Sequence, residues 1–182
     1  VIGFYEKTPD YRVVHENLSD MAQVTSAMTY QKGSWTLHML RQMMGDDRFW
    51  AGIRDYYARF QNANASTTDF RLAMERASGL DLSSFFQQWL YRGGVPHVEA
   101  TWHWDAGTKQ VVVELRQLQA GDPFRLPIEV GITVAGGPPR IERMDLAARS
   151  ARFSFPSDRE PAQVELDPNV RVLMDGTLVR RP

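Results

Sequence analysis

The sequence contains no cysteine in 182 residues, which excludes a disulfide framework, a thiolate metal site and a cysteine nucleophile. It has no apolar run near the ~20 residues that span a bilayer. Its N-terminus lacks the charged and then apolar pattern of a secretory signal. Neither charge is in excess, because 21 basic and 22 acidic residues leave a formal net charge of -1. We therefore expect neither nucleic acid nor a membrane as a partner.

What the sequence does contain is sufficient for a hydrophobic core. Of its residues 43% are hydrophobic, 11% aromatic and 24% charged, a balance typical of soluble globular proteins. A chain of this size buries roughly 68–70% of its unfolded surface, so it needs no covalent staples. Because the first residue is Val1 and not methionine, we expect a processed chain or a part of a longer one.

The first half of the chain carries the pattern of amphipathic helices. Residues 1–18 show no regular period and are predicted to be an extended lead-in. Residues 19–96 repeat their apolar positions every 3.6 residues or so and are predicted to be a helical subdomain of about four to five helices. Ser19 is predicted to cap a short helix over 20–28. A second helix should run from Tyr30 to about Met44 and end at Gly45.

Three further helices follow. One is predicted over about 47–60, one begins at a capping box formed by Ser66 and Asp69, and one begins at Asp81. The helix over 47–60 is predicted to bury an aromatic stripe of Phe49, Trp50, Ile53, Tyr56, Tyr57 and Phe60.

From His97 the apolar period changes from 3.6 to 2, which predicts a domain boundary. Residues 97–182 contain about seven short strands separated by proline and glycine, and 170–174 is predicted to be the last of them. This spacing is typical of a small antiparallel β-sandwich. The predicted fold class is therefore α+β, with a helical subdomain followed by a β-sandwich.

Two groups of residues contain side chains of the kinds that bind zinc. His15 and Glu16 begin the His-Glu-x-x-His pattern of zinc peptidases, but Ser19 stands where the second histidine is needed, so we interpret them as ordinary lead-in residues. The other group shares the wet face of one predicted strand, where its side chains spread along the strand and do not converge, so we interpret it as a solvated face. This second group is His97, Glu99 and His103.

Tyr30 is the candidate catalytic residue. Its neighbours on the helix face, Gly33 and Ser34, are small, so its phenol is predicted to face open space. A phenol in a dry site can donate a hydrogen bond to an oxyanion, an interaction worth roughly 3 kcal/mol of activation free energy. A half-buried structural tyrosine with a paired hydroxyl is the competing interpretation, and the residues alone leave both open.

The helical part resembles the downstream part of the M1 family of zinc aminopeptidases. The similarity is dense over about Ser19 to Pro96, and it is specific because many spaced positions agree in order. The β-rich remainder resembles the small sandwich domain that follows the catalytic domain in that family. The similarity is carried by Tyr30-Gln31-Lys32-Gly33, Leu37-His38-Met39-Leu40-Arg41, Gly45-Asp46, Phe49-Trp50, Gly52-Ile53-Arg54, Tyr56, Asp69-Phe70, Met74-Glu75, Ser78-Gly79, Asp81-Leu82, Phe85-Phe86, Trp89-Leu90, Gly94 and Pro96.

The resemblance implies a function for the parent protein. In the family, the tyrosine of the Tyr-x-Lys-Gly motif stabilises the tetrahedral intermediate opposite the zinc, which makes Tyr30 catalytic. The parent would use zinc to remove N-terminal residues from peptides, its substrates. The zinc ligands lie upstream of this motif, so an upstream catalytic half is implied as a partner. We expect no zinc and no peptidase activity in this chain alone. Some members have another tyrosine at the position of Thr25.

A function from a different class also fits the residues. The chain could be a non-catalytic module, with helices and a β-sandwich that bind a partner in a larger protein. The sequence upstream of Val1 discriminates the two hypotheses. A His-Glu-x-x-His motif followed by a glutamate there favours the enzyme, and its absence favours the module.

Overall fold

The chain forms helices first and strands afterwards. The computed structural model describes residues 1–15, 19 and 26–181, which form two compact units, Gly3–Gly94 (the helical unit) and the part from Val95 onward (the β unit). Five helices within the described residues are followed by two sheets, so the α+β prediction is confirmed. None of the described helices is long and apolar enough to cross a bilayer. The helices are α1 (Ile2–Tyr5), α2 (Ala27–Met44), α3 (Asp46–Phe60), α4 (Thr67–Ser78) and α5 (Ser83–Trp89).

The ends of α4 follow the sequence signals closely. The Ser66 hydroxyl accepts a hydrogen bond from the Asp69 N–H at 3.2 Å, and the Asp69 carboxylate accepts one from the Ser66 N–H at 2.9 Å. At the other end Gly79 has a φ of 72° and its N–H donates to the Glu75 carbonyl at 2.8 Å. The predicted capping box is thus confirmed.

The N-terminal part of the chain differs from the sequence prediction in one helix. Residues 1–18 were predicted to be extended, but Ile2–Tyr5 forms the short helix α1. The helix predicted over 20–28 lies mostly outside the described residues, as does Thr25, and Met28 belongs to α2.

The aromatic stripe predicted on α3 is only partly buried. Phe49 is buried, whereas Trp50 is 45% exposed and Tyr57 is 69% exposed. Successive residues turn by about 100° around a helix, so the positions directly after Phe49 and Tyr56 leave the face that meets α4. On that face the rings of Tyr56 and Phe70 lie 5.1 Å apart.

The β unit consists of a four-stranded and a three-stranded sheet in a sandwich-like arrangement. The orders are β5-β2-β1-β7 and β4-β3-β6. Most neighbours are antiparallel, as predicted, but β1 and β7 run parallel. Because β7 follows a strand of the other sheet, no hairpin forces it to be antiparallel to β1. The strands are β1 (His97–Asp105), β2 (Gln110–Gln117), β3 (Leu126–Val134), β4 (Arg140–Leu146), β5 (Ser150–Pro156), β6 (Pro161–Leu166) and β7 (Asp175–Arg180).

The strand predicted over 170–174 was wrong. The carboxylate of Asp167 accepts hydrogen bonds from the N–H groups of Arg171 and Val172, both at 3.0 Å. These donors are therefore not available to a neighbouring strand, and the chain resumes sheet pairing only at Asp175.

The capping box of α4 gives a prediction about stability. Replacing Ser66 with Ala removes the acceptor for the Asp69 N–H and should lower the free energy of unfolding of the helical unit by about 1 kcal/mol. Ser84→Ala, at an exposed position inside α5, is the matched control and should change the value by much less. Urea denaturation followed by circular dichroism measures both, and equal losses in the two variants would contradict the assignment.

Candidate active-site helix

Tyr30 lies in the first turn of α2 and is 75% exposed. Outside its own helix, a Cβ atom built on Gly33, one turn further on, would meet none of the described atoms within 4 Å. Ser34 is also exposed, and its hydroxyl donates to the Gln31 carbonyl at 2.9 Å. The phenol of Tyr30 is therefore accessible from solvent.

The same face of α2 continues to an ion pair. Leu37 is 41% exposed, and one turn later Arg41 forms two hydrogen bonds to the Asp46 carboxylate, at 2.8 and 2.7 Å. Hydrogen bonding to Arg41 lowers the pKa of Asp46. Met44, the last residue of α2, is buried.

Lys32 points to the opposite side of the helix and is completely buried. Its ammonium group donates to the carbonyls of Gly94 at 3.0 Å and Arg92 at 3.3 Å. It also lies 4.4 Å from the centroid of the Tyr5 ring, which is a cation–π distance. Burial, and secondarily the charge of Arg92, lowers the pKa of Lys32 to about 8.

The carbonyls that Lys32 meets are themselves held by the N-terminal segment. A Cβ atom on Gly93 would lie 2.4 Å from the Pro9 carbonyl oxygen, so only glycine allows the two backbones to pass this closely. The Val14 N–H donates to the Leu90 carbonyl at 3.0 Å. Residues 9–14 and 90–94 therefore lie side by side and form the wall that receives Lys32.

Tyr11 connects the same N-terminal segment to the start of α2. Its hydroxyl hydrogen-bonds to the Ser26 hydroxyl and, at 3.0 Å, to the Thr29 hydroxyl. Tyr11 thus contacts the first turn of α2, which carries Tyr30. The next turn, which carries Lys32, contacts the carbonyls of Arg92 and Gly94.

The histidines considered in the sequence do not assemble into a metal site. His15 stacks edge-on against Tyr11 with centroids 5.0 Å apart, and Glu16 lies outside the described residues. His97 pairs with Asp175 at 3.2 Å. Within 1–15, 19 and 26–181, no group of three or more histidine, aspartate or glutamate side chains could hold a metal ion. The described residues therefore do not fit zinc.

Sequence reasoning did not identify the role of Lys32. A signal was present, because Met28, Lys32 and Thr36 follow one another at intervals of four on the buried face of α2. A lysine at such a position has to find partners for its ammonium group inside the protein.

Comparison with known proteins gives consistent results. Residues 5–89 match the profile of the Peptidase family M1 domain. Aminopeptidase N of Lactococcus lactis subsp. lactis is 36% identical over 99 residues, which are 52% of this chain and 12% of that protein. The alanine/arginine aminopeptidase of Saccharomyces cerevisiae is 32% identical over 106 residues, 58% of this chain and 12% of that protein. The chain thus spans a small part of the length of these relatives.

A solved structure shares the fold. The crystal structure of Legionella pneumophila aminopeptidase A in complex with aspartic acid aligns with a TM-score of 0.74 and 19% sequence identity. The alignment covers 92% of this chain and 20% of that one.

The buried Lys32 makes the stability of the helical unit depend on pH. Its pKa is about 8 in the folded chain against an ordinary value of 10.5. Between these values the unfolded state binds more protons, so the free energy of unfolding should rise with pH, by up to about 1.4 kcal/mol per unit. Chemical denaturation from about pH 7 to about pH 10 should show this rise, and Lys32→Met should lack it.

Lys7→Met is the matched control, because Lys7 is exposed in the same unit and its loss should leave the rise intact. Burial raises the pKa of Tyr5, so above about pH 10 ionisation of its phenol in the unfolded state opposes the effect. A constant difference between the wild type and Lys32→Met across this range would contradict the prediction.

Proposed function

Because residues 5–89 of this chain belong to the M1 peptidase family, we propose that the chain is a part of a zinc-dependent aminopeptidase. In this proposal residues 19–96 are the downstream half of the catalytic domain, and 97–182 are the β-sandwich domain that follows it. The parent protein removes N-terminal residues from peptides. The aminopeptidase names of the relatives support the peptidase class of the parent.

Tyr30 is the residue that we propose to act on the substrate. One observation carries this assignment: the tyrosine of a Tyr-x-Lys-Gly motif is 75% exposed beside an open helix surface. When the peptide carbonyl becomes tetrahedral, the phenol donates a hydrogen bond to the oxyanion. Such a donor lowers the activation free energy by roughly 3 kcal/mol once water is excluded from the site.

We propose that an upstream half of the catalytic domain completes the site. The described residues do not fit zinc, so the zinc of the parent is held by ligands outside them. The exposed side chains of Tyr30 and Leu37 leave this face of α2 accessible to a further part of the parent. The peptide then binds between that part and α2.

Replacing Tyr30 with Phe in the parent protein tests the assignment. The variant keeps the ring but loses the hydrogen-bond donor, so kcat should fall about a hundredfold. Its thermal stability should be unchanged because the hydroxyl lies on an exposed side chain. Tyr57→Phe is the matched control, since Tyr57 is 69% exposed on the next helix and should retain full turnover. Near-normal turnover of Tyr30→Phe would refute the assignment.

The 182-residue chain itself is expected to hold less than stoichiometric zinc and to cleave no peptide. Incubation with zinc, dialysis and metal analysis measure the first point, and an aminoacyl anilide assay measures the second. The parent with its upstream half is the control and should retain zinc. One tightly held zinc in each 182-residue chain would contradict the proposed division of the site.

A further inference from the structure

The phenol of Tyr30 has to be held in place from a distance. Its side chain is 75% exposed, so few contacts of its own define where the ring lies. The position of the hydroxyl therefore depends on the backbone at the start of α2. A displacement of about 1 Å in a catalytic group can reduce turnover by about a hundredfold.

The start of α2 has little stabilisation from within the helix. The N-cap Ser26 makes no side-chain capping bond among the described residues, and the first turn of α2 contains no acidic residue to balance the helix dipole. The contrast with α4 is clear, because there Ser66 and Asp69 form a complete capping box. The first turn of α2, which carries Tyr30, therefore depends more on contacts with other segments than the first turn of α4 does.

We propose that Lys32 is a positioning residue for the reaction, which ties the N-terminal turns of α2 to the carbonyls of Arg92 and Gly94 and so holds the phenol of Tyr30 in place. This inference rests on the proposed function of Tyr30. Lys32 lies two residues beyond Tyr30 on the opposite side of the helix, where it cannot touch a substrate bound at the phenol. It acts through the backbone between them.

The chemistry of the contact favours this role over simple core packing. A methionine would occupy similar space without the cost of removing an ammonium group from water. The lysine makes two directed hydrogen bonds at 3.0 and 3.3 Å instead, and they join α2 to a segment about sixty residues away. Burying the ammonium of Lys32 costs free energy, and the directed hydrogen bonds that it makes fix the position of α2.

The surroundings of Lys32 explain how it is tolerated. Among the residues that the structure describes, no carboxylate pairs with it. The ring of Tyr5, from α1, faces the ammonium at 4.4 Å and attracts it, whereas the guanidinium of Arg92, from the segment after α5, repels it. The two carbonyls flank Gly93, whose backbone packs closely against Pro9. The lysine therefore joins α2 to the wall formed by residues 9–14 and 90–94.

A double-mutant cycle in the parent protein tests the inference. Lys32→Met should lower kcat by about tenfold to a hundredfold with little change in KM. In a Tyr30→Phe background the same replacement should cause little further loss, because the group that it positions is already absent. Equal losses of kcat in both backgrounds would show that Lys32 acts independently of Tyr30, and this would overturn the proposal.

Lys32→Arg separates charge from geometry. It keeps the positive charge but presents a planar group of different reach to the two carbonyls. Positioning predicts that Lys32→Arg recovers only part of the turnover that Lys32→Met loses. Complete recovery of kcat by Arg would overturn the proposal, since charge alone would then be sufficient.

A measurement on the 182-residue chain separates positioning from a general loss of stability. With 3-fluorotyrosine incorporated, the fluorine resonance of Tyr30 is identified by its disappearance in Tyr30→Phe. Lys32→Met should shift or broaden this resonance. Met74 is buried in α4 against Gly52, and Met74→Ala should leave the resonance unchanged although its cavity lowers the stability of the same unit.

The outcomes distinguish this inference from the proposed function. If Tyr30→Phe keeps near-normal turnover, the proposed function fails, whereas the fluorine spectra still test whether Lys32 holds Tyr30. An unchanged Tyr30 resonance in folded Lys32→Met would overturn the positioning role. If Lys32→Met does not fold, the spectra of Lys32→Arg decide in the same way, because the altered geometry should still shift the resonance.

Discussion

The buried ammonium of Lys32 constrains the backbone of the helical unit. It joins three segments that are far apart in sequence, because α2 provides the lysine, residues 92–94 provide the carbonyls and α1 provides the Tyr5 ring. A cation inside a protein is tolerated only when its donors are paired. The surrounding backbone is therefore constrained to stay where the two acceptors can reach Lys32.

The two faces of α2 differ in exposure. The inner face carries Lys32 and a row of buried side chains, whereas the outer face presents Tyr30 beside Gly33 with open space around it. One short motif thus contains both an anchor and an exposed hydroxyl. In our proposal the anchor holds the hydroxyl in place, because an exposed side chain has few contacts of its own.

The sequence predicted correctly those features whose interacting groups lie close together in the chain. The capping box of Ser66 and Asp69 was predicted because both partners lie within one turn. Gly79 ends α4 through an equally local effect, since its positive φ depends on its own backbone. The prediction that Trp50 and Tyr57 are buried was wrong. The sequence shows that α3 is rich in aromatic residues, but not how much of its surface other helices cover.

The sequence by itself determined the α+β class, from the change of apolar period, and the family resemblance, from the order of spaced motif residues. Only the tertiary structure decided that Lys32 is an internal anchor and that β7 pairs parallel to β1. It also decided that Asp167 takes up the backbone donors of the segment predicted as a strand. These features depend on groups that approach one another only after the chain has folded, and no local pattern records which distant carbonyl or strand edge will be there.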